Sequence, residues 1–225
     1  KPSLPYLLFN IDGYSVWVGK NAKSNDVVIV FIAGHGTLDE QYDYYFAGHD
    51  MDFKNPKAKG ISFQDIQNLL DKMKCLRKIL LMDTCHSGEV DKEDVVATEN
   101  DSEEEGDLTF RSSGSATLTT SAEKKVISEM ASSLFMDTRK TTGATIISSS
   151  GGTEVAREGD EWKNGLFTYC MLKGIKTMDA DLNKDNEIWL SEIQQYVHNQ
   201  VKELSGGQQV PTSRIENLTI DYRIW

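Results

Sequence analysis

Two apolar runs, each stopping at a glycine-flanked reactive side chain, constrain this 225-residue chain more than any other feature. The first is Val27-Val28-Ile29-Val30-Phe31-Ile32-Ala33-Gly34-His35-Gly36. The second is Lys78-Ile79-Leu80-Leu81-Met82-Asp83-Thr84-Cys85-His86-Ser87-Gly88. Both are rich in aliphatic or β-branched residues and show no polar alternation. Such runs predict strands buried on both faces, as in a parallel sheet with helices on each side. Open α/β sheets place ligands outside the carboxyl ends of their strands. His35 and Cys85 each lie just past such an end, and Gly34, Gly36 and Gly88 let the backbone turn sharply and approach a ligand closely. A thiol and an imidazole brought to one sheet edge are a nucleophile and its proton partner, the equipment for acyl transfer through a thioester. The alternative is an inert buried cysteine and a structural histidine, and it leaves the flanking glycines unexplained.

The residues around these two side chains carry a family resemblance. His35 precedes Cys85 by fifty positions, the separation found in caspases. Asp83-Thr84-Cys85-His86-Ser87-Gly88 resembles the Asp-x-Cys-His-Ser-Gly of metacaspases and bacterial caspase-like peptidases, peptidase family C14. Ala33-Gly34-His35-Gly36 resembles their Ser-Gly-His-Gly. Ile146-Ile147-Ser148-Ser149-Ser150, with Glu154 and Ala156, resembles the later strand that walls their substrate pocket. Gln209 to Arg214 and Asp221 to Trp225 resemble the closing stretch of bacterial members. The resemblance implies an α/β fold, a caspase-like three-layer α/β/α sandwich with a mostly parallel central sheet. It also implies a cysteine endopeptidase that cuts after Arg or Lys.

Within that resemblance the roles follow residue by residue. Cys85 is the expected nucleophile and His35 the base, later the acid that protonates the leaving amine. His86 adjoins the nucleophile, but neighbours on a turn rarely aim at one point, so His35 is preferred. Backbone N–H groups of Gly36 and Cys85 are the expected oxyanion hole. Asp83, Ser148, Ser149 and Glu154 are the expected substrate-binding residues. Strand alternation puts Asp83 on the same side as Cys85, where the matching metacaspase residue faces a basic substrate side chain. The other reading of Asp83 is a structural cap. The second acid of the metacaspase pocket has no direct counterpart: its nearest position holds Gly152, with Glu154 two residues on. The family's first strand and helix normally precede the histidine strand, and here only Lys1 to Ser24 do. Residues 1–225 are therefore expected to form one caspase-like domain without its first strand and helix, with an upstream region of a longer chain as partner.

Charge and cysteine content narrow the remaining classes. The net charge of −11 is concentrated between Glu89 and Asp107, which hold ten acidic residues and one lysine. Nothing resembles the basic stripe that nucleic-acid binding requires, and no apolar stretch is long enough to span a membrane. Three cysteines without metal spacing argue against a disulfide scaffold and for a reducing, cytoplasmic setting. Residues 89–142 read as an inserted loop, acidic and then Ser/Thr-rich, with Lys124 to Met136 as a short amphipathic helix. A loop this long is functional or disordered. In the resembled family the same stretch is often a processing site, and Lys92, Arg111, Lys124, Lys125, Arg139 and Lys140 are candidate cleavage points.

Residues 181–192 have the spacing of an EF-hand calcium loop. Asp181, Asn183, Asp185, Glu187 and Glu192 are the candidate Ca²⁺ ligands, with Ile188 at the apolar eighth position and Asn186 where glycine is usual. Helical patterns flank the loop, from Leu166 to Thr177 and onward to Leu204. The chemistry proposed for Cys85 requires no cofactor. The protein is thus expected to take a peptide or protein substrate. The rival readings are an inactive caspase-fold scaffold and a calcium-responsive binding module.

Overall fold

The computed structural model describes residues 22–41, 43–84, 108–110, 143–150, 156–159, 162–215 and 221–225. Its central sheet contains β1 (Val27–Gly34), β5 (Arg77–Thr84), β7 (Ala144–Ser148) and β10 (Thr212–Ile215), side by side in that order. β1, β5 and β7 are mutually parallel, and β10 runs antiparallel to β7. A second sheet joins β2 (Gly36–Leu38), β3 (Tyr44–Phe46) and β4 (Ile61–Ser62), and a third joins β6 (Leu108–Phe110), β8 (Arg157–Gly159) and β9 (Asn164–Gly165). The helices are α1 (Pro56–Lys59), α2 (Phe63–Lys72), α3 (Leu166–Thr177) and α4 (Leu190–Leu204). None of the described helices is long and apolar enough to cross a membrane.

Side-chain alternation along the strands divides the core into two layers. Leu80 and Met82 of β5 and Ile146 of β7 pack with Phe63, Ile66 and Leu70 of α2. Ile79, Leu81 and Ile147 point the other way, into Leu166, Phe167 and Cys170 of α3 and Ile193 and Val197 of α4. The central sheet is thus mostly parallel and flanked by helices, as the sequence implied.

Burial on both faces holds for β5 but not for β1. In β5 every residue after Arg77 is buried, whereas Ile29 and Phe31 of β1 are 44% and 42% exposed. The reason is lateral position. Among the described residues β1 is an edge strand, and α3 and α4 pack over β5 and β7 rather than over it.

The helix boundaries follow local chemistry. α2 begins at Ser62, whose Oγ accepts the Asp65 N–H at 3.0 Å, and Asp65 lies in the first turn where negative charge suits the helix dipole. α3 and α4 occupy the two patterned segments, ending at Thr177 and Leu204. β6 is a short strand within the segment read as a loop. It pairs with β8 in a peripheral sheet and adds nothing to the central one. The predicted helix at 124–136 lies outside the described residues.

Leu80 is fully buried at the centre of the layer under α2. Leu80→Ala is expected to lower unfolding stability by about 2–5 kcal/mol through lost burial and the cavity left behind. Chemical denaturation measures this, and an unchanged midpoint would contradict the assigned core.

Candidate active site at the carboxyl ends of β1 and β5

The parallel register pairs Val27 with Arg77 and runs without a slip to Gly34 with Thr84. Gly34 directly precedes His35, and Thr84 directly precedes Cys85. Consecutive α-carbons are about 3.8 Å apart, so the chain leaves the two strands at adjacent points of one sheet edge. Cys85 itself lies outside the described residues, as do Glu154 and His86.

His35 is partly exposed. Its ring meets Phe53 edge-on, with centroids 6.5 Å apart, and its carbonyl accepts the Ala47 N–H at 2.9 Å. Gly34 has φ +145°, a backbone conformation that a side chain would strain, which accounts for glycine before His35. Gly36 has a different reason. A Cβ there would fall on the phenol of Tyr44. Tyr44 is 1% exposed, and its hydroxyl donates to Thr84 Oγ1 at 3.1 Å. In sequence Tyr44 fits a hairpin strand near the histidine, where core aromatic packing is preferred over peptide stacking. Its polar end, forty residues from its partner, is a long-range feature.

The loop after β2 is held by a buried carboxylate. Asp39 Oδ1 accepts the N–H groups of Gln41 and Asp43, at 2.8 and 2.9 Å, and Asp39 Oδ2 pairs with Lys57 Nζ at 3.1 Å. Burial pushes the Asp39 carboxyl up, but the Asp43 amide, Lys57 and the Gln41 amide outweigh it and hold the group below its ordinary value.

Asp83 is fully buried on the α3 side of β5. Its Oδ2 accepts the Thr168 N–H at 3.3 Å and also the Thr168 hydroxyl. Thr168 stands in the first turn of α3, whose N-cap, Gly165, has no side chain with which to cap it. Asp83 does so from another strand, placing negative charge where exposed amides and the helix dipole favour it. A Cβ on Gly165 would come within 2.5 Å of Asp83 Oδ2, so glycine lets the helix start approach the carboxylate. The structure therefore gives Asp83 a capping function.

Ser148 and Ser149 are buried at the end of β7, beside the end of β5. The Ser149 N–H donates to the Met82 carbonyl at 2.7 Å, and Ser149 Oγ reaches the Thr84 carbonyl at 3.4 Å. Gln209, at the start of the stretch that resembles the family's closing segment, is fully buried and has a bridging role that the sequence does not reveal. Its Nε2 donates to the Ser149 carbonyl at 2.8 Å, while its Oε1 accepts the Arg157 N–H at 3.0 Å. Trp162 sits in the turn before β9 and packs, half-buried, against the core beneath α3.

The acidic connector between α3 and α4 uses its oxygens on its own backbone. Asp181 accepts the N–H groups of Asp185 and Asn186, Asn183 that of Asp185, and Asp185 that of Glu187, all between 2.8 and 3.1 Å. Glu192 accepts from Leu182 and Asn183 through Oε1 and from Trp189 through Oε2. Glu187 pairs with Arg223 at 2.6 Å. Asn186 has φ +67°, the left-handed conformation its position demands. Among the described residues no cluster of three or more His, Cys, Asp or Glu side chains is placed to hold a metal ion. The eighth residue, Ile188, is clamped by Ile224 and Trp225: its N–H donates to the Trp225 carbonyl and its carbonyl accepts the Ile224 N–H.

Comparison with known proteins assigns the class. A caspase-domain family model, peptidase C14, matches residues 11–222. The chain belongs to this family of cysteine peptidases. In structure it is similar to a crystallised protein from Geobacter sulfurreducens, with TM-score 0.53 and 18% identity over 89% of this chain and 71% of that one. That likeness concerns the fold. No curated protein sequence matches the chain.

Two measurements check the site. Cys75 and Cys170 are buried, and burial raises both thiols, that of Cys170 to about 11. At pH 8 iodoacetamide is therefore expected to leave both unmodified in folded protein and to label them after denaturation, read by peptide mass spectrometry. The lowered Asp39 pKa makes its contribution to stability complete above the unfolded carboxylate range near pH 4 and lost as pH falls through the folded value. Asp39→Asn is accordingly expected to be less stable than the parent at pH 7, with the gap closing toward pH 2 in denaturation midpoints.

Proposed function

We propose that the chain is a cysteine endopeptidase in which Cys85 and His35 form the reacting pair. The observation that carries this reading is the unslipped β1–β5 register ending at Gly34 opposite Thr84. In the proposed reaction the Cys85 sulfur bonds to the scissile carbonyl carbon, and His35 takes the thiol proton. Collapse of the tetrahedral intermediate breaks the C–N bond, and the proton passes to the leaving amine. Water then hydrolyses the thioester and restores the thiol. The Gly36 amide, at the first residue of β2, and the Cys85 amide are the proposed donors to the oxyanion. Burial of Cys75 and Cys170 supports Cys85 as the reactive cysteine among the three.

A preference for Arg or Lys before the cut bond is the finer part of the proposal. It rests on the resemblance of Asp83-Thr84-Cys85-His86-Ser87-Gly88 to the metacaspase motif, and it would require the buried Asp83 carboxylate to serve a substrate cation beside its cap on α3. Ser148, Ser149 and Glu154 are proposed to complete the pocket. Residues 89–142 are proposed as a processing segment. Calcium responsiveness is a second reading, favoured by the ligand spacing of the α3–α4 connector. It would require Glu192 to exchange backbone N–H partners for the metal.

Fluorogenic peptides with Arg, Lys, Asp or Leu before the bond test the reaction and its specificity together. Turnover is expected with Arg and Lys. His35→Ala is expected to lose about 10²–10⁴-fold, Cys85→Ala to be inactive, and His86→Ala to retain turnover. Preference for Asp would overturn the basic specificity, and full activity in His35→Ala would overturn the dyad. Calcium titration by calorimetry separates the second reading: heat at sub-millimolar metal, without peptidase activity, would favour it.

A further inference from the structure

We propose that Tyr44 is a positioning residue for the dyad, acting through the hydrogen bond of its hydroxyl to Thr84. The inference rests on the peptidase reading above and adds to it the device that aligns its two halves. His35 follows β1 and Cys85 follows β5. Among the described residues the parallel pairing runs to Gly34 and Thr84. His35 and Cys85 are the next residues along the two segments.

Tyr44 touches both turns. On the histidine side it belongs to β3, which pairs with β2 so that Leu38 faces Tyr44 and Gly36 faces Phe46. Its phenol occupies the space where a side chain at residue 36 would lie. The Ala47 N–H, three residues along from Tyr44, holds the His35 carbonyl at 2.9 Å. On the cysteine side its hydroxyl donates to Thr84 Oγ1 at 3.1 Å, forty residues away. Both partners are buried, at 1% and 0% exposure. A hydroxyl costs free energy to bury unless it is bonded, and this contact bonds both hydroxyls.

The position of the contact separates alignment from substrate contact. Thr84 alternates with Asp83, and its hydroxyl lies on the face of the sheet covered by α2. The contact is therefore on the opposite face of the sheet from the Asp83 carboxylate. There it restrains the side chain of Thr84, next to the peptide plane that joins Thr84 to Cys85, whose carbonyl also accepts from Ser149 Oγ at 3.4 Å. The N–H of that plane is one of the proposed oxyanion donors. A change at this contact should disturb the alignment of sulfur, imidazole and amide while leaving the substrate's binding surface in place. Small misplacements of reacting groups are costly to rate.

The test compares Tyr44→Phe, Thr84→Val, Thr84→Ser and the double variant Tyr44→Phe/Thr84→Val, using the best fluorogenic peptide and iodoacetamide labelling of Cys85 across pH. Tyr44→Phe and Thr84→Val are each expected to lower kcat about 10- to 100-fold with KM within about twofold. Their pH profiles of Cys85 alkylation should shift together. Thr84→Ser, which keeps the hydroxyl, should restore parent behaviour, and the double variant should lose no more than the worse single one. If Tyr44→Phe fails to fold by circular dichroism, the Thr84 pair carries the same comparison. Parent kcat in Thr84→Val, or equal loss in Thr84→Ser and Thr84→Val, would overturn the inference while leaving the dyad intact. Cys85 labelling and turnover in the parent that ignore His35→Ala would overturn the peptidase reading, and this inference with it.

Discussion

The structure depends above all on the backbone ladder between β1 and β5. Its eight paired positions, Val27 with Arg77 through Gly34 with Thr84, bring two sequence-distant segments to the same level at one sheet edge. Parallel strands need a crossover between them, and the crossover here contains α2, whose Phe63, Ile66 and Leu70 bury against the even-numbered residues of β5. The packing that stabilises the ladder is therefore also what fixes its register. A slip of one residue would turn Leu80 and Met82 away from α2 and Ile79 and Leu81 away from α3.

Around that edge, polar groups are satisfied by partners from remote parts of the chain: the Asp83 carboxylate completes the start of α3, and Gln209 ties the end of β7 to β8. At the other end of α3, Glu192 gathers the nearby backbone of the α3–α4 connector. In each case a buried polar side chain binds backbone groups that local structure leaves open. Glycine marks the closest approaches: Gly165 at Asp83 and Gly36 at the Tyr44 phenol.

Much of the fold was legible in the sequence because its signals are local. Uninterrupted apolar runs announced β1 and β5, and the family resemblance pointed to β7. Helical patterns marked α3 and α4 through Thr177 and Leu204. The exposed face of β1 was not legible, since a run of Val, Ile and Phe reads the same whether or not a helix lies over it. The partners of Asp83 were not legible either. Alternation gave the direction of its side chain, but Thr168 is 85 residues away and shares no pattern with it. The connector shows a third kind of difference: spacing identified oxygen-bearing residues that form one loop, yet spacing does not distinguish oxygens turned to a cation from oxygens turned to amides.

The pairing of Ile188 with Ile224 and Trp225 bears on how the α3–α4 unit is held together. A short extended segment in a polar loop is a weak element unless another strand meets it. Here that strand is tethered to the same polypeptide, so its local abundance is set by the tether and is unaffected by dilution. The helical pair consequently acquires its closing clasp in a unimolecular step, with no requirement for a second molecule to complete it.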